Sequence, residues 1–141
     1  MNSEGRDRGF TLIEMLITLV LVALLTATAL PAYDSQVRRA FRTEARTALA
    51  QVAFRLERQA TATGSYPSGE LPEALAGVPS GRYRIVRVRP TDELDAATHF
   101  TLRAVPQGGQ ARDPCGSFTL NNAGERGLAD NQASVADCWN R

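Results

Sequence analysis

Gly9-Phe10-Thr11-Leu12-Ile13-Glu14 begins the stretch that decides the fold, and an apolar run continues behind it to Leu30. Glu14 is the only charged residue among the 21 residues from Phe10 to Leu30. As an α-helix rising about 1.5 Å per residue, this run would be roughly 32 Å long, close to the thickness of a bilayer's hydrocarbon core. The run therefore predicts a membrane-spanning helix. The alternative is a helix buried in a soluble core, which so short a chain could not easily cover on all sides.

The residues that flank the apolar run leave two kinds of processing open. Met1–Gly9 is polar and ends in a small residue, which therefore precedes the run. A secretory signal peptide carries its small residues after the apolar core instead, and the alanines around Pro31 would allow that ordinary cleavage. Glu14 indicates more than a plain anchor, because a carboxylate in a membrane helix is costly and is by default a functional residue.

The stretch from Gly9 to Glu14 resembles the processing motif of type IV pilins and the related pseudopilins. The resemblance implies that a dedicated prepilin peptidase cuts between Gly9 and Phe10 and then N-methylates Phe10. It makes Glu14 the fifth residue of the mature chain. We expect Glu14 to act in assembly by pairing with the charged amine of Phe10 on its own or an adjacent subunit, because an isolated charge among apolar helices is costly. The alternative is that Glu14 lies at the headgroup level, near the positive end of the helix, at little cost. The resemblance also places Pro31 at the family's usual helix proline, where a lost backbone hydrogen bond should kink the helix.

Beyond Pro31 the apolar residues recur every three or four positions, which is typical of an amphipathic helix that packs on a core. The pattern continues to about Ala62. The positions that carry it are Tyr33, Val37, Phe41, Ala45, Leu49, Val52, Ala53, Leu56 and Ala60. Arg42 and Arg46 are like charges four residues apart, and Glu44 has no charged neighbour one turn away. We expect these three side chains to face solvent or a neighbouring subunit.

The rest of the sequence predicts a small antiparallel sheet. A loop with three prolines covers 63–81 and holds one short helical turn near Glu70–Leu75. Strand-like alternation then occurs in Arg82–Arg89, His99–Val105 and Ser117–Asn121, with turn-rich loops at Pro90–Thr98 and Pro106–Asp113. The inward face of the first strand is ambiguous, because apolar residues occupy both sets of alternate positions. The sequence predicts an α+β fold in which a long N-terminal helix packs its amphipathic half on an antiparallel β-meander.

Cys115 and Cys138 bound a C-terminal tail that resembles the tail of PilE-type minor pilins, with the last hairpin of the sheet inside a disulfide loop. Two cysteines in a head exported to an oxidising compartment also favour one disulfide between them. Together the two resemblances imply the type IV pilin fold. The expected division is a leader at 1–9, a transmembrane or filament-core half-helix at 10–30, an amphipathic half-helix at 31–62 and a globular head at 63–141, with a sheet at about 82–127 and a disulfide-bounded tail at 115–138.

No pattern in the sequence predicts an enzyme, a metal site or a cofactor. The single histidine, His99, excludes paired-histidine metal sites and has no supporting triad motif. The acidic cluster Asp92, Glu93 and Asp95 lacks the spacing of a known calcium loop and is better explained as a solvated loop. The 16 basic residues are all arginine and are balanced by 15 acidic residues, so the net charge of +1 argues neither for nor against a nucleic-acid partner.

These patterns predict a minor pilin that enters or primes a type IV pilus and so serves twitching motility, adhesion or DNA uptake. One alternative is a pseudopilin of a type II secretion system, and another is a plain single-pass anchored domain, which leaves Glu14 unexplained. A DNA-receptor pilin would need arginines gathered into one stripe, whereas strand alternation divides Arg82, Arg84, Arg87 and Arg89 between two faces.

The expected partners follow from the same resemblance. They are major and minor pilin subunits, the prepilin peptidase, the inner-membrane assembly platform and membrane lipid. The expected location is the bacterial inner membrane, as a single-pass protein with a periplasmic head, and then the extracellular pilus.

Overall fold

The computed structural model describes residues 9–88 and 97–140. The chain divides into two compact units, Met1–Gln36 and Val37–Arg141. The elements in chain order are α1 (Leu12–Thr63), α2 (Glu73–Ala76), β1 (Tyr83–Arg87), β2 (Thr101–Pro106), a 3-10 helix (Gly108–Arg112), β3 (Ser117–Asn121), β4 (Arg126–Ala129) and α3 (Val135–Trp139).

Helix α1 is 52 residues long and begins two residues after Phe10. Its first turn is supported by the Thr11 hydroxyl, which accepts a hydrogen bond from the Glu14 backbone N–H at 3.3 Å. It ends next to Gly64, whose positive φ of 83° allows its N–H to bond the Ala60 carbonyl at 2.8 Å. Glycine suits this left-handed position because it has no Cβ to clash. The end predicted near Ala62 is therefore correct to within one residue.

The part of α1 in the second unit packs one face on the core of the head. Ala45, Leu49, Val52 and Leu56 are each at most 4% exposed, and their spacing of three to four residues is the predicted amphipathic stripe. Tyr33, at the start of the predicted stripe, lies in the first unit and is 68% exposed. The predicted stripe is therefore buried only in the part of α1 that belongs to the second unit.

The four strands form one antiparallel meander in the order β1-β2-β3-β4. The register opposes Ile85 to Ala104 and Ala104 to Phe118, so these side chains share one face of the sheet. All three are fully buried, and Tyr83 and Leu102 are buried with them, which settles the ambiguous phase of the first strand. The predicted α+β fold, a long N-terminal helix with an antiparallel meander, is confirmed.

Several local features differ from the sequence expectation. Helix α2 occupies Glu73–Ala76, between Pro72 and Gly77, a few residues later than the predicted turn. A 3-10 helix lies in the loop predicted at Pro106–Asp113, and His99 precedes β2 instead of lying within it. Helix α3 was not predicted. It begins after Ser134, whose hydroxyl caps it by accepting the Asp137 N–H at 3.1 Å.

The disulfide between Cys115 and Cys138 is present and joins the start of β3 to α3, which confirms that prediction. Gly116 follows Cys115 with a positive φ of 60°. A Cβ on Gly116 would lie 2.5 Å from the carbonyl oxygens of Ala129 and Asp130. Any side chain at this position would therefore collide with backbone, so only glycine fits between Cys115 and β3.

Candidate functional site

The predicted processing segment lies at the exposed beginning of the described chain. Gly9 and Phe10 precede α1, and the Phe10 side chain is 73% exposed. Glu14 lies in the first helical turn, where the positive end of the helix dipole favours a carboxylate. The structure thus places Gly9 before an ordered helix start and Glu14 one turn inside it. The cleavage, the methylation of Phe10 and the role of Glu14 remain predictions.

The apolar part of α1 is exposed along its described length. Every side chain described between Leu12 and Leu30 is exposed, and the helix has a mean hydropathy of 2.3 over its most apolar 18 residues. By length and composition it can cross a membrane. Its threonine hydroxyls bond to carbonyls of the same helix: Thr18 donates to Met15 at 2.8 Å, Thr26 to Val22 at 3.0 Å and Thr28 to Leu25 at 3.0 Å. The segment therefore presents a continuous apolar surface that requires lipid or other apolar helices around it.

Arg42 faces the head and not the solvent, which corrects the sequence expectation. Its Nε lies 3.1 and 3.0 Å from the two carboxylate oxygens of Asp113, and its Nη2 forms an ion pair at 3.0 Å. The Asp113 side chain is fully buried and also accepts hydrogen bonds from Gln110 Nε2 at 3.0 Å and the Cys115 N–H at 2.9 Å. A buried carboxylate is tolerated only with such partners. This network ties α1 to the 3-10 helix and to the disulfide.

Arg46 also turns toward the head, against expectation. Its Nη1 donates to the carbonyls of Cys138, at 3.3 Å, and of Trp139, and its Nη2 donates to the Thr43 hydroxyl at 2.8 Å. The last carbonyls of a helix have no partner within the helix, and here Arg46 satisfies two of them in α3. Partial burial lowers the pKa of Arg46, and the nearby charges of Arg42 and Arg126 lower it further.

Glu44 likewise has a partner in the head. Its Oε1 accepts the Ser80 backbone N–H at 3.0 Å, which attaches the proline-rich loop to α1. The sequence could not reveal these three contacts, because each partner lies 36 to 93 residues away along the chain.

Trp139 joins α3 to the last hairpin. Its indole N–H donates to the Gly127 carbonyl at 2.9 Å, and its ring packs edge-on against Phe118 at a centroid distance of 5.6 Å. The guanidinium of Arg126 stacks over the same ring, 5.3 Å from its centre. Between these residues and α1 an open cleft of about 480 Å³ remains, with Arg46 and Arg126 both on its walls.

The arginines of the first strand do not form one stripe. Arg84 pairs with Glu73 on the surface at 2.6 Å. Arg87 lies on the alternate strand position and donates to the carbonyls of Pro67 and His99. Arg82 stacks on Phe41 at 5.5 Å, and Arg89 lies outside the described residues.

Nothing in 9–88 and 97–140 brings three or more His, Cys, Asp or Glu side chains together as a metal site. The acidic cluster Asp92, Glu93 and Asp95 lies outside those residues. His99 is exposed, and its Nδ1 lies 2.9 Å from the Thr98 hydroxyl.

Comparison with known proteins identifies the family. The sequence model described as "Type IV minor pilin ComP, DNA uptake sequence receptor" matches residues 31–119, which is more than half of the chain. The chain belongs to this type IV minor pilin family. A second model, the prokaryotic N-terminal methylation motif, matches residues 5–30 of this minor pilin, the stretch that contains Gly9, Phe10 and Glu14.

Two known pilins are similar to this minor pilin along most of its length. The type IV major pilin protein PilA of Myxococcus xanthus is 28% identical over 176 aligned positions, which cover 94% of this chain and 78% of PilA. The structure of a type IV pilin from Shewanella oneidensis is 32% identical and matches with a TM-score of 0.52, covering 69% of this chain and 98% of that one. The fold and the family predicted from the sequence are therefore confirmed.

Proposed function

We propose that this minor pilin is cut between Gly9 and Phe10, is N-methylated on Phe10, and is then assembled through α1 into a type IV pilus. The match of the methylation motif to residues 5–30 supports the processing step, and the exposed apolar face of α1 supports assembly among other apolar helices. Before assembly the chain is anchored in the inner membrane with its head in the periplasm. Its partners are other pilin subunits, the prepilin peptidase and the assembly platform. Its role is structural and not enzymatic.

Gly9→Val tests the processing step. A peptidase that acts on a backbone at the membrane surface requires a position next to the cut with almost no side chain, so the valine variant should keep its leader. Mass spectrometry of the unsubstituted chain should find a mature form beginning at N-methylated Phe10. A mature form beginning near Ala32 would instead indicate ordinary signal-peptide cleavage and would refute the proposal.

We further propose that the assembled subunit binds DNA through its head. The observation that carries this proposal is the family match, because the matched region, 31–119, covers most of the head and the family is described as a DNA uptake sequence receptor. The near-neutral net charge means that a local group of cations must supply the binding.

The surface around the 3-10 helix offers such a group. Arg82 and Arg112 are both exposed, and neither forms an ion pair within the described parts of the chain. The Arg82 guanidinium lies beside the backbone of Gly108 and Gly109, at the beginning of the 3-10 helix whose last residue is Arg112. The Arg82 guanidinium beside this glycine pair, with the exposed Arg112 at the other end of the same 3-10 helix, can approach a phosphate backbone closely.

The test is the salt dependence of DNA binding by the full-length protein in detergent micelles. Each phosphate contact adds about 0.9 to the slope of log K against log salt, so Arg82→Gln/Arg112→Gln should lower the slope by roughly 1.8. Arg84→Gln is the matched control, since Arg84 is exposed nearby but already paired with Glu73. Equal affinity and slope for the double variant would refute this placement, and no binding by the unsubstituted protein would refute DNA recognition itself.

A further inference from the structure

Among the residues that the structure describes, the lining of the cleft between α1, β4 and α3 has two positively charged side chains and no negatively charged one. Arg46 gives its described hydrogen bonds to neutral groups, namely two α3 carbonyls and the Thr43 hydroxyl. Arg126 is exposed and stacks on the Trp139 ring. Among the residues described, no carboxylate forms an ion pair with either guanidinium, and the nearby Asp113 is already occupied by Arg42. The cleft therefore lacks the anion that its charges favour.

The shape of the cleft decides which anion fits. The cleft is open to solvent and has a volume of about 480 Å³, and its α1 wall is made of the small exposed side chains Thr43, Thr47 and Ala50. A space of this size admits a single side chain with its neighbouring backbone. These two guanidiniums lie on the walls of a cleft, whereas a nucleic-acid backbone follows an extended open surface. The planar donors of arginine match the two oxygens of a carboxylate.

We propose that this cleft is a docking site for an acidic side chain, Asp or Glu, of an adjacent pilin subunit. The inference rests on the proposed assembly of this chain into a pilus and is independent of DNA binding. The incoming carboxylate lies between Arg46 and Arg126. The Trp139 ring holds the Arg126 guanidinium in place before binding, which reduces the side-chain entropy lost when the contact forms.

The arrangement gives the subunit a preferred neighbour. A neighbouring subunit whose carboxylate lies opposite the cleft is attracted by two cations. A neighbouring subunit with a lysine or arginine at that position is repelled. The cleft also depends on the disulfide loop. Trp139 and the carbonyls bound by Arg46 belong to α3, which the disulfide attaches through Cys138. Only a head with α3 in place presents the complete site.

The experiment uses full-length protein in assembled pili, with the photoreactive residue p-benzoylphenylalanine in place of Thr47, inside the cleft. Illumination should cross-link this position to a segment of another pilin subunit that contains Asp or Glu, as mapped by mass spectrometry. Arg126→Glu in the same background should reduce the cross-link yield about fivefold or more, since close charge pairs at interfaces couple strongly. Arg126→Lys, which keeps the charge but loses the planar fork, should retain an intermediate yield.

Arg58→Glu is the matched control, because Arg58 is exposed on α1 outside the cleft and its reversal changes the net charge equally. Thermal unfolding of each variant checks that the head is intact. An unchanged yield for incorporated Arg126→Glu, or a cross-link to nucleic acid, would overturn this inference alone. Absence of the unsubstituted chain from pili would overturn the proposed assembly and this inference together.

Discussion

Arg42→Met should destabilise the head strongly, because it leaves the buried Asp113 carboxylate without its cation. The Asp113 side chain is fully buried, and Arg42, whose side chain is 15% exposed, contacts both of its oxygens. Removal of one partner of a buried ion pair typically costs about 3–5 kcal/mol of stability. Methionine keeps most of the length of the arginine stem, so the loss measures the missing charge and hydrogen bonds and not a large cavity.

The assay is urea unfolding of the full-length protein in detergent micelles with the disulfide intact. The single tryptophan, Trp139, packs against Phe118 and so reports on the head. Linear extrapolation then gives the free energy of unfolding for each variant. Arg84→Met is the control. It breaks the exposed Arg84–Glu73 pair and should leave stability unchanged within error.

A second variant separates charge from packing. Arg42→Met/Asp113→Asn replaces the orphaned anion with a neutral amide that can still accept the Cys115 N–H. This double variant should be more stable than Arg42→Met alone, because no unpaired charge remains buried. The reasoning is refuted if Arg42→Met loses less than about 1 kcal/mol, or if the added Asp113→Asn brings no recovery.

Three further predictions concern assembly, the disulfide and pH. Glu14→Ala should be processed and should fold but should enter filaments poorly, and normal amounts in sheared pili, measured by immunoblot, would contradict the assembly role of Glu14. Cys115→Ser/Cys138→Ser opens a loop whose ends are 23 residues apart and should cost roughly 3.5 kcal/mol by the chain-entropy estimate, measured by the same urea assay; a loss below about 1 kcal/mol would contradict it. Burial raises the pKa of Tyr83 above its usual value, more than its hydrogen bond from Gln110 lowers it. The folded state therefore holds the Tyr83 proton more tightly than the unfolded chain does. The stability of the fold is thus unaffected by titration of this group below pH about 10, and it decreases as the pH rises from there toward the folded pKa. Burial also raises the pKa of Tyr66, so absorbance at 295 nm should show both tyrosines titrating late, and Tyr83→Phe should remove the Tyr83 share.

The fold was predictable where a period in the sequence had one structural meaning. The three- to four-residue spacing of Ala45, Leu49, Val52 and Leu56 has no interpretation other than a helix face, and that face is buried. The alternation in β2 and β3 likewise placed Leu102 inside. In β1 apolar residues occupied both faces, so only the register with β2 could decide that Ile85 faces the core.

The polar contacts of the head were not predictable in the same way. Arg42 and Asp113 are 71 residues apart, and nothing local marks either as the partner of the other. The expectation that Arg42 and Arg46 face solvent or a neighbouring subunit considered only their neighbours on the helix. It did not include Asp113 or the α3 carbonyls, which the fold places against that face of α1. Helix α3 was missed because five residues are too few to establish a period. The processing motif, in contrast, is contiguous, and its function remains a prediction because its partners are other molecules.

Three threonines of the apolar segment bear on how the helix would exchange one apolar environment for another. Because Thr18, Thr26 and Thr28 bond to carbonyls of their own helix, their hydroxyls need nothing from their surroundings. Lipid chains and the apolar helices of other subunits are about equally good environments for such a surface. Exchange of one environment for the other neither breaks nor forms a hydrogen bond at these positions. These three threonines therefore oppose the transfer of the helix between a bilayer and a filament in neither direction.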